Sequence, residues 1–166
     1  ATRWRKSVLK TSFKNRISPS VLIINNAIRL LSFSKTILSD EELGIVKLLH
    51  NLAVDKKIDD EQTYITTLRA ISQTYPADLR YAQNIAKVAE HKFGCIPIYD
   101  SLLYCIAHSE SPDIKMSLKL LEKIRTSKLE TEHTYIALLD IISRSKSPCL
   151  EKAKQLFDEA KQAHRP

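Results

Sequence analysis

Apolar residues recur along the chain at helical spacing in a series of short segments, and polar or proline-containing stretches separate them. Ser18-Pro19 supplies an N-cap and a first-turn proline for the first predicted helix of this series. Ser39-Asp40-Glu41-Glu42 has the form of a capping box, and Ile45, Leu48, Leu49 and Leu52 follow on one face of the second. Asp59-Asp60 opens the third, which is expected to end before Pro76. The fourth carries Ala82, Ile85, Ala86 and Ala89 and stops near Gly94, a residue suited to the position after a helix. Pro97 opens the fifth and Ser111-Pro112 the sixth, with Leu118, Leu120, Leu121 and Ile124. Thr131 caps the seventh, and Ser147-Pro148 opens the eighth, with Ala153, Leu156, Phe157 and Ala160. The prediction is an all-α protein.

These segments repeat. Tyr99-Asp100-Ser101-Leu102-Leu103 is echoed by Tyr135-Ile136-Ala137-Leu138-Leu139, 36 residues downstream, and by Tyr64-Ile65-Thr66-Thr67-Leu68, 35 residues upstream. A weaker copy, Ile24-Asn25-Asn26-Ala27-Ile28, precedes that by 40 residues. The intervening helices keep the same register: Leu48-Leu49, Ile85-Ala86, Leu120-Leu121 and Leu156-Phe157 are separated by 37, 35 and 36 residues. Helix pairs of this length cannot bury an apolar face alone and do so by stacking on their neighbours. The expected architecture is a right-handed α-solenoid of about four helix-turn-helix repeats over residues 18–166, with units at about 21–60, 61–95, 96–131 and 132–166.

Residues 1–17 read separately, as a basic amphipathic helix or tail. Trp4, Val8, Leu9 and Phe13 share one side, and Arg3, Arg5, Lys6, Lys10, Lys14 and Arg16 occur there without any acid. The leading expectation is the last helix of a preceding repeat, or a tail. A retained organelle-targeting segment is the other reading, because such segments are also Arg-rich and acid-free. The formal charge of +7 is concentrated here: removing six of the 26 basic residues leaves 20 against 19 acidic ones. The rest of the chain is therefore nearly neutral, and bulk charge gives no argument for nucleic-acid binding. Two glycines, Gly44 and Gly94, cannot form a Gly-rich phosphate loop. No apolar stretch approaches the ~20 residues that span a bilayer. Three cysteines, Cys95, Cys105 and Cys149, follow no disulfide pattern and suit a reducing compartment.

The Tyr-x-x-Leu-Leu starts at Tyr99 and Tyr135, and the Ala153…Leu156-Phe157 stretch, resemble the pentatricopeptide repeat family. Tetratricopeptide repeats share the helix-pair geometry, but their period of about 34 residues and their Trp, Leu-Gly and Tyr landmarks are missing. The resemblance implies a modular RNA reader in which each repeat takes one base. The reading positions are the residue after the first-helix tyrosine and the last residue of the unit. Transferred here, they are Asn25 with Asp60, Ile65 with Cys95, Asp100 with Thr131, and Ile136 with a partner near residue 166. Asn25 with Asp60 is similar to a uridine-selecting pair, whereas Ile65 with Cys95 cannot make such hydrogen bonds. One turn beyond Asn25 and Ile65 stand Arg29 and Arg69, placed to meet phosphates, and their later equivalents are Tyr104 and Asp140.

No catalytic constellation stands out. His91 and Cys95 are four residues apart but have no second pair to complete a metal site. Acid pairs such as Glu41-Glu42 and Asp59-Asp60 sit at helix starts, where the helix dipole accounts for them. Tyr64, Tyr99 and Tyr135 recur too regularly to be base-stacking platforms first, and packing within the repeat is the expectation. The expected function is a non-enzymatic, cofactor-free RNA-associated protein of the mitochondrial matrix, or of a plastid. Asn25, Asp60, Asp100 and Thr131 would touch bases, and Arg29, Arg69, Arg3, Arg5, Lys6 and Lys10 would supply charge. Its partners would be single-stranded or ribosomal RNA and proteins of a mitochondrial ribonucleoprotein assembly. The alternative is a structural adaptor subunit that binds protein.

Overall fold

The computed structural model describes residues 20–32, 37–94 and 98–163. Among these residues the chain is all-α, with eight helices and no strand. They are α1 (Val21–Ser32), α2 (Asp40–Asp55), α3 (Glu61–Ser72), α4 (Leu79–Phe93), α5 (Ile98–Ala107), α6 (Ile114–Thr126), α7 (Glu132–Arg144) and α8 (Leu150–Ala163).

Local chemistry sets most of the boundaries. Ser39 and Glu42 form the expected capping box at α2, the backbone N–H of Ser39 donating to Glu42 Oε2 at 3.0 Å. Asp60 with Thr63 and Thr131 with Thr134 do the same at α3 and α7, where threonine replaces the usual Glu or Gln partner. Two starts differ from expectation. Ser111-Pro112 does not begin α6, because Asp113 captures the Met116 N–H at 3.0 Å and becomes the cap. Ser147-Pro148 likewise lies ahead of α8, which begins at Leu150. The Ser18-Pro19 and Pro97 starts lie outside the described residues.

The helix ends were less legible. Gly94 closes α4 at a φ of +77°, as its type suggests. After α2 and α6, however, Lys57 and Lys128 occupy the left-handed region at φ 55° and 54°. Ile58 N–H reaches back to the Ala53 carbonyl and Leu129 N–H to that of Ile124, at 3.0 and 3.1 Å, a Schellman closure in each case. Ile58 and Leu129 then pack against the core, so the apolar contact recovers what the strained lysines cost.

Packing follows a simple rule. Each helix contacts the next in sequence, and the odd-numbered helices also stack on one another, α1 on α3, α3 on α5 and α5 on α7. The stacked helices carry most of the core: Ile28, Tyr64, Leu68, Leu103, Ile106, Leu138 and Ile141 are all at or below 1% exposure. Each fully buried leucine or isoleucine contributes about 1.5–3 kcal/mol relative to an exposed one. The even-numbered helices give one face to this layer and the other to solvent. Their Leu49, Ala86, Leu121 and Leu156 are buried, while Leu48 and Phe157, next to the first and last of these, remain 59% and 49% exposed.

Candidate functional site

The tyrosine that begins each echoed motif is buried, and its hydroxyl finds a carboxylate. Tyr64 donates to Asp59 at 2.7 Å, and Asp59 is also held by Lys92 from the end of α4. Tyr135 donates to Glu130 at 3.0 Å, and Glu130 is paired with Arg125 from the end of α6. At the unit between them, bonds from Lys123 and then from the Tyr99 hydroxyl hold the Glu90 carboxyl below its usual range. With exposures of 0%, 3% and 4%, Tyr64, Tyr99 and Tyr135 have no face left for a base to stack on. They are packing residues with their polar ends satisfied, as their periodicity suggested.

The residues at the expected reading positions do meet in pairs. Asn25 Nδ2 donates to Asp60 Oδ1 at 3.0 Å across 35 residues of sequence. Thr131 Oγ1 donates to Asp100 Oδ2 at 2.8 Å, and Thr134 Oγ1 donates to Asp100 Oδ1 at 2.6 Å. Because Asp60 and Thr131 are helix caps, the second residue of each of these motifs ties itself to the cap of the next stacked helix. Desolvation raises the Asp60 pKa, but bonds from Thr63 and Asn25 outweigh it and hold the group below the ordinary carboxylate range. These four side chains therefore differ from the expectation of groups left open to bases: they are bonded to one another. Asn25 is only 5% exposed, and its Oδ1 is a buried acceptor without a partner among the described residues.

The other reading positions are apolar. Ile65 is 9% exposed and Ile136 is 45% exposed. Cys95, and the charged residues Arg3, Arg5, Lys6 and Lys10, lie outside the described residues.

One turn further along the same helices the surface is polar. Arg29 on α1 and Arg69 on α3 are exposed, and among the described residues neither forms an ion pair. Just past the end of α5 and on α7 the character changes. His108 Nδ1 bonds the Ser72 carbonyl, its Nε2 lies 3.6 Å from Asp140, and Asp140 is bound by Arg144 at 2.7 Å. The cationic end of this row is thus α1 and α3, and toward α7 arginine and carboxylate neutralise each other.

His50 was not singled out by sequence. It is 5% exposed on α2, edge-on to the rings of Tyr64 at 5.1 Å and Tyr81 at 6.2 Å. The Thr67 hydroxyl donates to the Thr63 carbonyl at 2.7 Å, so its oxygen is left to accept from His50 Nδ1 at 3.3 Å. Burial pushes the imidazole pKa down from 6.5 to about 4, against the pull of Asp59, and the ring is neutral at pH 7. Its apolar neighbours Leu49 and Ala53 give the only sequence signal, a histidine on the buried face of an amphipathic helix.

Among the described residues no group of three or more His, Cys, Asp or Glu side chains could hold a metal ion. No helix among them is long and apolar enough to cross a membrane. Cys105 is buried and donates to the Leu68 carbonyl at 3.4 Å, with burial raising its thiol pKa, while Cys149 is exposed. Compared with known proteins, the chain matches no family model, no curated protein and no solved structure.

Proposed function

We propose that this chain is a right-handed α-solenoid of about four pentatricopeptide-like repeats, and that it acts without catalysis as an RNA-associated protein of the mitochondrion. The observation that carries the reading is the placement of Arg29 and Arg69. They stand at equivalent positions on two stacked helices, exposed and without an acidic partner among the described residues. Two unpaired guanidinium groups one repeat apart suit successive phosphates of a single strand, where arginine gives fork-shaped, charge-assisted hydrogen bonds. The junctions Asn25–Asp60 and Asp100–Thr131 would lie under the bases. Arg3, Arg5, Lys6 and Lys10 would add sequence-independent affinity that salt weakens.

The test is titration of a U-rich single-stranded oligoribonucleotide at two salt concentrations. Loss of two phosphate contacts in an Arg29→Glu, Arg69→Glu variant should lower the slope of log affinity on log salt by about 1.4, at ~0.7 per contact. Absence of binding at low salt, or binding that the double variant leaves unchanged, would end this reading for the chain. A protein-binding adaptor is the second reading, and the 45% exposed Ile136 at a reading position on α7 favours it. Co-purified partners that survive nuclease treatment would select it.

A further inference from the structure

The even-numbered helices are joined to one another by side-chain bonds spaced one unit apart. Between α2 and α4, Lys47 pairs with Asp78 at 2.6 Å and Tyr81 donates to Asn51 at 3.3 Å. Between α4 and α6, Gln83 donates to the Met116 sulfur at 2.9 Å and Lys123 pairs with Glu90 at 2.8 Å. Between α6 and α8 the joint is thinner: among the described residues, the Arg125–Glu159 ion pair at 2.5 Å is the one side-chain bond across it. Beside that bond a groove of about 560 Å³ opens to solvent between the two helices.

The groove has two chemistries. Ile114 and Leu118, both half-buried, form an apolar floor with the inward-facing Leu121 and Leu156. The rim is cationic. Lys115 and Lys119 stand one helical turn apart on α6, both exposed, and among the described residues neither has an ion partner. Lys152 on α8 faces them and is bonded only to the neutral Gln155 amide, at 3.0 Å. Two carboxylates also line the groove, Glu159 and Glu122, and both lie against Arg125, at 2.5 and 3.5 Å, so the four cations of the lining exceed its anions by two. Three lysines without an ion pair among the described residues therefore border an apolar strip, and the lining as a whole is cationic.

We infer that this groove docks an acidic amphipathic segment of a partner protein, its leucine-like side chains on the floor and its Asp or Glu residues against Lys115, Lys119 and Lys152. The floor is what separates this occupant from RNA. A phosphate backbone would use the lysines but gain nothing from Ile114 and Leu118, and a small anion would leave the strip wet. An amphipathic helix satisfies both parts at once, burying an apolar stripe between two parallel ridges while its flanking carboxylates meet the rim. The site is separate from Arg29 and Arg69, so it does not depend on the RNA reading.

The experiment uses a fluorescein-labelled helical peptide of Leu and Glu, with leucines at i, i+3, i+4 and i+7, titrated with the full chain and followed by anisotropy. The same peptide with Lys for Glu, and a U-rich oligoribonucleotide, are run beside it. The acidic peptide should bind saturably, about tenfold more weakly to a Lys115→Glu, Lys119→Glu variant, and equally well to Arg29→Glu, Arg69→Glu, as expected for rim charges at a specific groove. Leu118→Gln should also weaken it, with the melting curves of all variants compared by circular dichroism. The inference is overturned if no saturation is reached by about 1 mM peptide. It is equally overturned if the Lys-containing peptide binds as well, or if charge reversal at Lys115 and Lys119 abolishes RNA binding and leaves peptide binding intact.

Discussion

His50 offers the sharpest quantitative test, because a neutral imidazole enclosed by Tyr64, Tyr81 and Thr67 must respond to acid in one direction. In the unfolded chain the group titrates near its ordinary 6.5, and in the fold near about 4. Between those values the unfolded state binds the proton and the native state does not, so stability falls as pH falls. The contribution is fully present above about pH 6.5 and is lost on acidification toward pH 4. With about 1.4 kcal/mol per pH unit, the full effect is about 3 kcal/mol, of which about 2 kcal/mol falls between pH 7 and pH 5. The carboxylates do not confuse this window. Asp59, Asp60, Asp78 and Glu90 are all held below their ordinary values, so their contributions persist at pH 5 and are lost only at lower pH. The perturbation is His50→Phe, which keeps a ring between the tyrosines and strands no donor, since the Thr67 proton already goes to Thr63. Urea unfolding followed by far-ultraviolet circular dichroism at pH 7 and pH 5 should show the wild type losing about 2 kcal/mol more than the variant. Contributions from the other histidines are common to both proteins and cancel. Equal losses in the two, or a wild type more stable at pH 5, would refute a buried neutral His50.

Other outcomes follow from the same geometry. Lys57→Gly and Lys128→Gly relieve left-handed backbone that glycine accepts, so each should raise stability by about 0.5–1 kcal/mol in urea unfolding, and a loss would argue against the Schellman closures. Asp100→Ala removes the acceptor shared by Thr131 and Thr134 and should cost about 1–3 kcal/mol, with Asp100→Asn recovering part of it. Leu68→Ala, at a fully buried site between stacked helices, should cost about 2–5 kcal/mol, and a cost below 1 kcal/mol would place Leu68 outside the core. In thiol labelling with mass-spectrometric mapping, Cys149 should react rapidly in the native protein and Cys105 only after denaturant is added.

The helices, and much of where they begin, were determined by the sequence itself. Capping boxes at Ser39, Asp60 and Thr131 act over three residues, and apolar spacing marks the buried face of each helix from within one segment. The two misplaced starts share a cause: Asp113 and Leu150 follow a Ser-Pro that resembles a helix start but belongs to the preceding turn. The ends at Lys57 and Lys128 escaped because the contact that stabilises them, Ile58 and Leu129 against the core, is made at a distance. The candidate surface divides in the same way. Helical period alone places Arg29 and Arg69 one turn beyond Asn25 and Ile65, and both are exposed. The positions that the family resemblance pairs, Asp100 with Thr131 and Asn25 with Asp60, do meet in space. Only the stacking of one motif helix on the next decided that these pairs bond each other, because a cap is completed by whichever side chain the neighbouring helix brings to it. The same stacking buried His50 against two tyrosines from other helices and left the lysine-rimmed gap between α6 and α8. Local sequence fixes what lies within one helix and its cap. What lies between helices depends on packing angles and separations set by the whole array of side chains at each joint.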